Sequence, residues 1–584
     1  MVSKDETYDF VIVGSGGGGL VAALAAAEAG LRPIIVEKQS VIGGSTAMSG
    51  GVIWMPNNPL MRRDGVPDSY EEGLTYFNSV VGEPDAPSSL ERRHAFLADG
   101  PEMISFIQDL GVELVRCEGY SDYYDNVPGG SARGRSVEGV PWDGKQLGAW
   151  HPRINPGMAR RIGLAVKTNE VRNIPMVFRS LKSFSSAARV VLRTYLSKIR
   201  RQDLFTNGMS LVGQLTKIIV DRGIPISLDT AVDELIVENG RVVGVRATKD
   251  GVATEFHASK GVLLAAGGYE HNSEFRSKVS EKTQPNDGRW SLGNAGNTGD
   301  VLQAAIALGA QTDYMDEAVW FLTPRLEMAG STLTLARQFA HTIFVNQDGQ
   351  RFVNESNSYI EVGRAMYANN GAPCWLIFDD RYRRNVPWSS GMPKLRDLWS
   401  ARPGNMPQEW VENGFILKAD SIEGLAAKIE VDPAILTETV DRFNTHASVG
   451  NDPEFHRGES QYNKALGDPG TKPNPAVGDI ATGPFYATQI FPGDVGTVGG
   501  VVCNERAQVL DDTATPIPGL YATGNMAATV VGRTYPGAGA SIAYTMVFGY
   551  IAANEAAKAS KSEKTSEDVG KSSIPDQHST TRAV

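Results

Sequence analysis

The stretch Asp9-Phe-Val-Ile-Val-Gly14-Ser15-Gly16-Gly-Gly18-Gly19-Leu-Val-Ala-Ala constrains the fold more than any other part of the chain. Apolar Phe10 to Val13 read as a buried parallel strand, the glycines as a tight turn, and Leu20 to Ala29 as a helix whose free N–H groups face a pyrophosphate. Gly14 makes the turn, Gly16 lets the backbone touch phosphate, and Gly19 lets the helix close on the strand. A second apolar run, Pro33 to Val36, ends at Glu37, a carboxylate placed for ribose hydroxyls. A glycine triplet alone is weak evidence, but the succession strand, turn, helix, strand, acid predicts a dinucleotide site.

A chain of 584 residues, 41% of them hydrophobic, can bury a sizeable core and divides into two or three domains. The formal net charge of -11 argues against a general nucleic-acid binder. Cys117, Cys374 and Cys503 lie far apart and match no metal or disulfide spacing, which suits a reducing compartment and free thiols. The first strand begins too early to leave room for a signal peptide, and no apolar run is long enough to span a bilayer, so a cytoplasmic protein is expected.

After Glu37 and Lys38 comes Val41-Ile-Gly43-Gly44-Ser45-Thr46-Ala-Met-Ser49-Gly50-Gly51, small and hydroxyl-rich, suited to holding a flat ring system against the backbone. Together the glycine triplet, the acid and this Gly-Gly-Ser-Thr segment resemble the FAD-binding part of the fumarate reductase and 3-ketosteroid dehydrogenase flavoproteins. Further along, Gly261-Val-Leu-Leu-Ala265-Ala266-Gly267-Gly268 is an apolar strand ending in glycines. Gly519-Leu-Tyr-Ala-Thr523-Gly524-Asn525 is a second such strand, and Thr534-Tyr535-Pro536-Gly537-Ala538-Gly539-Ala540-Ser541-Ile542 enters a helix running to about Ala556. A helix N-terminus suits polarising a carbonyl.

Residues 160–201 stand out by charge, with eleven Lys or Arg against the single acid Glu170. Val177, Phe178, Leu181, Phe184, Ala188, Val191, Leu192, Tyr195, Leu196 and Ile199 recur at helical spacing, flanked by Arg179, Lys182, Arg189, Arg193 and Arg200. This is a basic amphipathic helix, read as a membrane-surface or docking element and weighed against an ordinary core-packed helix with solvated arginines. A helix beginning near Thr298 to Asp300, with one of those two as N-cap, opens a second region. Trp375, Trp388, Trp399 and Trp410 read as core or pocket wall. The tail from Lys558 to Val584 is too polar to order itself.

The combination Ser121-Asp122-Tyr123-Tyr124, Asn354-Glu355-Ser356 before Tyr359, Pro492-Gly-Asp494-Val-Gly-Thr497, Gly519-Leu-Tyr-Ala-Thr-Gly-Asn525 and Tyr535-Pro-Gly-Ala-Gly539 resembles the 3-ketosteroid Δ1-dehydrogenases over residues 8–556, save the basic insertion. Dicarboxylate-reducing relatives place Arg and His to clamp a dianion. Here Tyr359 follows the Asn-Glu pair and Asp494 to Gly500 stands where paired histidines would, so a neutral apolar substrate is expected. The resemblance implies an α/β fold: a Rossmann-like FAD-binding domain of the glutathione-reductase/fumarate-reductase type at 1–280 and 488–557, carrying the insertion at 158–204. An α+β catalytic cap at 281–487 and a disordered tail at 558–584 complete it.

FAD contacts are implied for Gly14, Ser15, Gly16, Gly18, Gly19, Glu37, Lys38, Gly44, Ser45, Thr46, Ser49, Gly50, Gly51, Val232, Ala266, Gly267, Gly524, Asn525, Ala540, Ser541 and Ile542, with no metal site. The activity implied is 1,2-desaturation of a 3-keto steroid. Tyr535 hydroxyl and Gly539 N–H would hold the C3 oxygen, Tyr359 as phenolate, supported by Tyr123, would take the C2 proton, and flavin N5 would take the C1 hydride. Tyrosine ordinarily titrates near about 10, so activity should rise with pH. An insertion of this character occurs in relatives that act on steroids bearing a long side chain, such as cholest-4-en-3-one, and a quinone is a candidate electron acceptor. The alternatives are a 3-ketosteroid 4-dehydrogenase, a fumarate-reductase-like enzyme and a flavin-free lipid carrier. A nicotinamide enzyme is disfavoured because only one glycine-rich strand-to-helix turn is present.

Overall fold

The computed structural model describes residues 6–157, 163–177, 179–280, 288–324, 337–388 and 402–571. Its centre is β1 (Glu6–Val13), whose Phe10, Val11 and Ile12 are wholly buried because parallel neighbours flank them on both sides. Helix α1 (Gly17–Glu28) returns the chain to β2 (Pro33–Val36), which pairs with β1 in parallel, Val11 opposite Ile34. On its other side Val11 faces Val262 of β4 (Val252–Leu264), and the short β3 (Ile226–Ser227) extends the sheet beyond β2. Strand β7 (Pro516–Ala522) lies outside β4, again parallel. All these parallel strands therefore end on one edge, placing Gly14, Glu37, Ala265 and Thr523 side by side at the crevice where such sheets take ligands. An antiparallel hairpin, Thr230–Glu238 with Arg241–Lys249, turns at Asn239-Gly240.

The segment Gly44–Met48 forms a short helix, α2, instead of a loop. Neither Thr298 nor Asp300 caps the helix Asp300–Ala307; Gly299 occupies the cap with a left-handed φ of 70°, and the Thr298 hydroxyl bonds Asp300. The cap sheet is built on β6 (Phe485–Thr497), which pairs antiparallel with β5 (Ala318–Thr323), Cys374–Phe378 and Leu417–Ala419. A boundary at 487/488 would cut this strand, so its whole length belongs with the cap sheet. Trp388 and Trp410 lie buried among Phe378 and Tyr382, as expected for core, while Trp399 is outside the described residues. Helix α4 (Tyr359–Ala368) packs on β5.

The last helix, α5 (Ala540–Lys571), covers α1 closely: a Cβ on Gly18 would lie 2.6 Å from Thr545 O. It continues past Ala556 through the start of the tail, because Ala, Lys and Glu carry helical propensity without needing burial. Residues 572–584 lie outside the described residues.

Within the basic insertion, α3 spans Leu181–Ile199, while Phe178 and residues 158–162 fall outside the described residues. The helix packs on the globule with Ser183, Ser186, Val190, Thr194 and Ser197, and presents its apolar stripe outward: Leu181, Phe184, Leu192, Tyr195 and Ile199 are each more than half exposed. The packing seam is polar. Thr194 Oγ1 accepts from Ala165 N at 2.9 Å, and Arg193 holds Glu170 at 2.6 Å.

Candidate active site

One continuous cavity of about 1420 Å³ opens at the crevice of the parallel sheet and runs beneath β6 and α4 to α3. It exceeds the roughly 300–1,000 Å³ of a single-ligand pocket, which is room for a dinucleotide and a substrate together. Gly14, with φ 107°, turns the chain so tightly that a Cβ there would lie 2.3 Å from Ala265 O. At Gly16 and Gly44, in contrast, the Cβ position opens on free space, with nothing closer than 3.8 Å, so these two form the floor of a cradle. Glu37 Oε2 accepts from Ser15 N at 2.9 Å and from Ser15 Oγ at 2.6 Å, while Thr46 Oγ1 accepts from Gly17 N at 3.1 Å. Ser45 Oγ accepts from Asn294 N, leaving its own hydrogen, like that of Thr46, for a ligand.

All the expected cofactor residues line this cavity except Gly18, Gly19 and Ala540. Those three stand behind the wall: Gly18 faces α5, Gly19 lies over Gly14 O, and Ala540 is wholly buried at the start of α5. Their small size serves close backbone packing instead of ligand contact. The donor set, the anion-facing helix start and the two open glycines fit FAD.

Tyr123, Tyr359 and Tyr535 converge on the far wall. Tyr123 comes from a turn held by its N–H on Pro536 O at 3.0 Å and by buried Asp122, which accepts from Trp54 Nε1 at 2.7 Å and pairs with Arg135 at 2.9 Å. Burial lifts the Asp122 carboxyl to about 6, against the pull of Arg135. Tyr359 opens α4, braced from behind by a buried charge cluster: Arg351 holds Glu355 at 2.8 Å and Asp452 at 2.7 Å, and Arg457 holds Glu355 at 2.9 Å. Tyr123 OH donates to Tyr359 OH at 3.2 Å, and the Tyr359 and Tyr535 rings lie 6.0 Å apart. Gly539 sits at φ 93° against β-strand backbone, where a Cβ would fall 2.1 Å from Val52 O.

Burial drives the Tyr359 phenol well above its ordinary value and the Tyr535 neighbour adds to this, while the Tyr123 bond opposes it. A resting phenolate is therefore disfavoured in the ligand-free cavity. The expected support by Tyr123 has the right sign, but it opposes a larger desolvation.

Two residues escaped the sequence reading. The Tyr462 ring lies tilted against Tyr123 with centroids 4.7 Å apart, its short helix Gln461–Ala465 fastened to the Tyr123 loop by Asp125, which accepts from both Gln461 N and Tyr462 N. Buried Arg337 donates to Asn357 O at 2.9 Å, and its charge holds the Tyr462 phenol down against the rise that burial causes. Positive side chains do line the cavity: Arg337 and Arg172 on its walls and Lys38 at the dinucleotide end. No local motif marks Tyr462 or Arg337; only tertiary packing brings them to the phenols.

The substrate end is apolar, lined by Phe321, Phe339, Leu466 and Val495, and continues to Phe184, Val191, Leu192 and Tyr195 of α3. Among the described residues no group of His, Cys, Asp and Glu is placed to hold a metal, and no helix is long and apolar enough to cross a membrane. Cys117, Cys374 and Cys503 are buried free thiols.

A family model described as FAD binding domain matches residues 9–542. The chain is 39% identical over 576 residues to a 3-oxosteroid 1-dehydrogenase of Mycolicibacterium smegmatis, covering 96% of this chain and 99% of the relative. It is 32% identical over 589 residues to a 4-oxocyclohex-2-ene-1-carboxylate 5-dehydrogenase of Sinomonas cyclohexanicum, covering 97% of each. The crystal structure of a 3-ketosteroid delta1-dehydrogenase from Sterolibacterium denitrificans, in complex with 1,4-androstadiene-3,17-dione, superposes with a TM-score of 0.86 at 32% identity over 95% of this chain and 100% of that one. Fold and site define an FAD-dependent oxidoreductase. The chain belongs to the 3-oxosteroid 1-dehydrogenase family.

Proposed function

We propose that the protein converts a 3-keto-4-ene steroid to the 1,4-diene by removing hydrogen from C1 and C2. The observation that carries this reading is the convergence of Tyr123, Tyr359 and Tyr535 with Gly539 on one wall of an apolar cavity continuous with the dinucleotide crevice. Tyr535 and the Gly539 N–H take the C3 oxygen, stabilising negative charge as the C2 proton leaves. Tyr359 receives that proton, and Tyr123 steadies the charge on Tyr359 before transfer. Gly14, Gly16, Glu37, Gly44, Ser45 and Thr46 hold FAD, which when bound accepts the hydride from C1. Arg337 adds a positive field behind Tyr462, favouring negative charge among the phenols.

Support for a bulky apolar substrate over a small ring carboxylate comes from the lining, which runs apolar to α3, and from the burial of Arg337 against Asn357 and Tyr462. A steroid with a long side chain would extend along Phe184, Val191 and Leu192. The same helix supports peripheral contact with an anionic lipid surface on the cytoplasmic side, since its exposed apolar stripe is flanked by exposed Lys182, Arg189, Lys198 and Arg200.

Anaerobic bleaching of the flavin tests the substrate. 4-Androstene-3,17-dione and cholest-4-en-3-one should bleach it and yield products with unsaturation at C1–C2. Unsaturation elsewhere, or bleaching by 4-oxocyclohex-2-ene-1-carboxylate and not by steroids, would overturn the reading.

A further inference from the structure

Tyr535 and Tyr359 are the same side chain facing one ligand, yet the reaction proposed above needs one to give a proton and the other to take one. The difference lies in what surrounds each oxygen. Tyr535 OH lies 2.9 Å from Ser541 Oγ and accepts from Ser541 N at 3.3 Å. Ser541 stands in the first turn of α5, where the backbone N–H groups have no partner within the helix. Its N–H and side chain therefore reach the phenol from one side.

The hydroxyl bond has two possible directions, and donor bookkeeping selects one. Among the described residues Ser541 Oγ has no other hydrogen-bond partner than the phenol. If the phenol donated, the serine hydrogen would be left without a protein acceptor on the part-buried cavity wall, at the cost of an unmade hydrogen bond. If serine donates, its hydrogen is satisfied, the phenol oxygen collects two donors, and the phenol hydrogen is free for the cavity. Burial raises the Tyr535 phenol while the Ser541 hydroxyl and N–H, Tyr359 and the Gly539 N–H oppose the rise. At Tyr359, Tyr123 is the opposing donor.

We propose that Ser541, expected from the sequence to contact the cofactor, is a positioning residue that turns the Tyr535 proton toward the substrate's C3 oxygen and makes Tyr535 the acid of the phenol cluster. Its donors stabilise charge on the Tyr535 oxygen as that proton shifts toward the developing enolate, so the assignment rests on the desaturation reading. No atoms are gained or lost: the proton is shared between Tyr535 and the C3 oxygen, and Ser541 keeps its own.

The test uses full-length flavin-loaded protein with Ser541→Ala and Ser541→Thr. The first readout is the anaerobic bleaching rate with 4-androstene-3,17-dione. The second needs no turnover: a steroid with an aromatic, 3-hydroxylated A ring is bound, and its ultraviolet spectrum gives the phenolate-to-phenol ratio at the position of the C3 oxygen. Ser541→Ala should lower both rate and ratio about tenfold, the one-unit shift of a single lost donor, with KM, flavin content and visible flavin spectrum unchanged. Ser541→Thr should restore both. Wild-type rate and ratio in Ser541→Ala would overturn the assignment, as would loss of bound flavin in Ser541→Ala that Ser541→Thr repairs, since the hydroxyl would then serve the cofactor. If no 3-keto steroid bleaches the wild-type flavin, the substrate reading fails, while the phenolic probe still decides for or against Ser541.

Discussion

Replacing Tyr123 with Phe removes one hydroxyl and little else, because the ring keeps its 4.7 Å tilted contact with Tyr462 and its 5.6 Å edge contact with Tyr359. The lost bond to Tyr359 measures 3.2 Å, longer than the roughly 2.7–2.8 Å usual between hydroxyls. A hydrogen bond to a charged acceptor contributes about 1.5–3 kcal/mol, and this length places it near 1.5 kcal/mol, about one pKa unit. In the proposed mechanism Tyr359 acts when deprotonated, and its phenol already stands above its ordinary value through burial. Removing a donor raises it further, so the active fraction at a given pH falls about tenfold and the rising limb of activity moves about one unit to alkaline pH. The assay is stopped-flow flavin bleaching under anaerobic conditions from pH 6 to 10. Both rates should rise about tenfold per pH unit across this range, with the mutant line about one unit to the alkaline side of wild type. Superimposable profiles, or a mutant rate that no longer rises with pH, would refute the reasoning that Tyr123 acts by stabilising charge on Tyr359.

Substituting Phe184, Leu192 and Tyr195 of α3 with Gln should abolish co-sedimentation with anionic liposomes while sparing turnover of 4-androstene-3,17-dione in solution; unchanged co-sedimentation would remove the membrane proposal. Gly539→Ala forces a Cβ to within 2.1 Å of Val52 O at a left-handed φ, so thermal unfolding should shift down by several degrees and bleaching should slow even where flavin remains bound, checked by scanning calorimetry and absorbance.

The nucleotide half was legible because its information is local. Apolar Phe10 to Val13, the glycine turn and Glu37 encode a strand end, a backbone reversal and an acid within thirty residues, and each lies where the spacing places it. Tyr123, Tyr359 and Tyr535 were found through motifs, and their meeting was the motifs' implication. Tyr462 and Arg337 were not found, because each acquires its role only from packing against segments distant in sequence. The stripe on α3 was legible as a period but not as a direction. Periodicity reports two faces, and only the Ser and Thr seam against Ala165 and the Arg193–Glu170 pair shows that the apolar one turns outward. The boundary at position 487 came from the family resemblance, whereas β6 continues to Thr497 because its pairing with β5 does.

The charge cluster behind Tyr359 joins Arg351 to an aspartate 101 residues further along the chain. Low surrounding dielectric makes an orphaned member of such a cluster costly, about 3–5 kcal/mol, so its parts assemble together or not at all. During synthesis Tyr359, the proposed proton acceptor, thus gains its firm footing only when Asp452 and Arg457 have left the ribosome, and Tyr535, the proposed acid, emerges later still. A nascent polypeptide can already own most of the nucleotide crevice yet lack any means of chemistry, so premature desaturation on a half-made enzyme is ruled out by the order in which the chain is written.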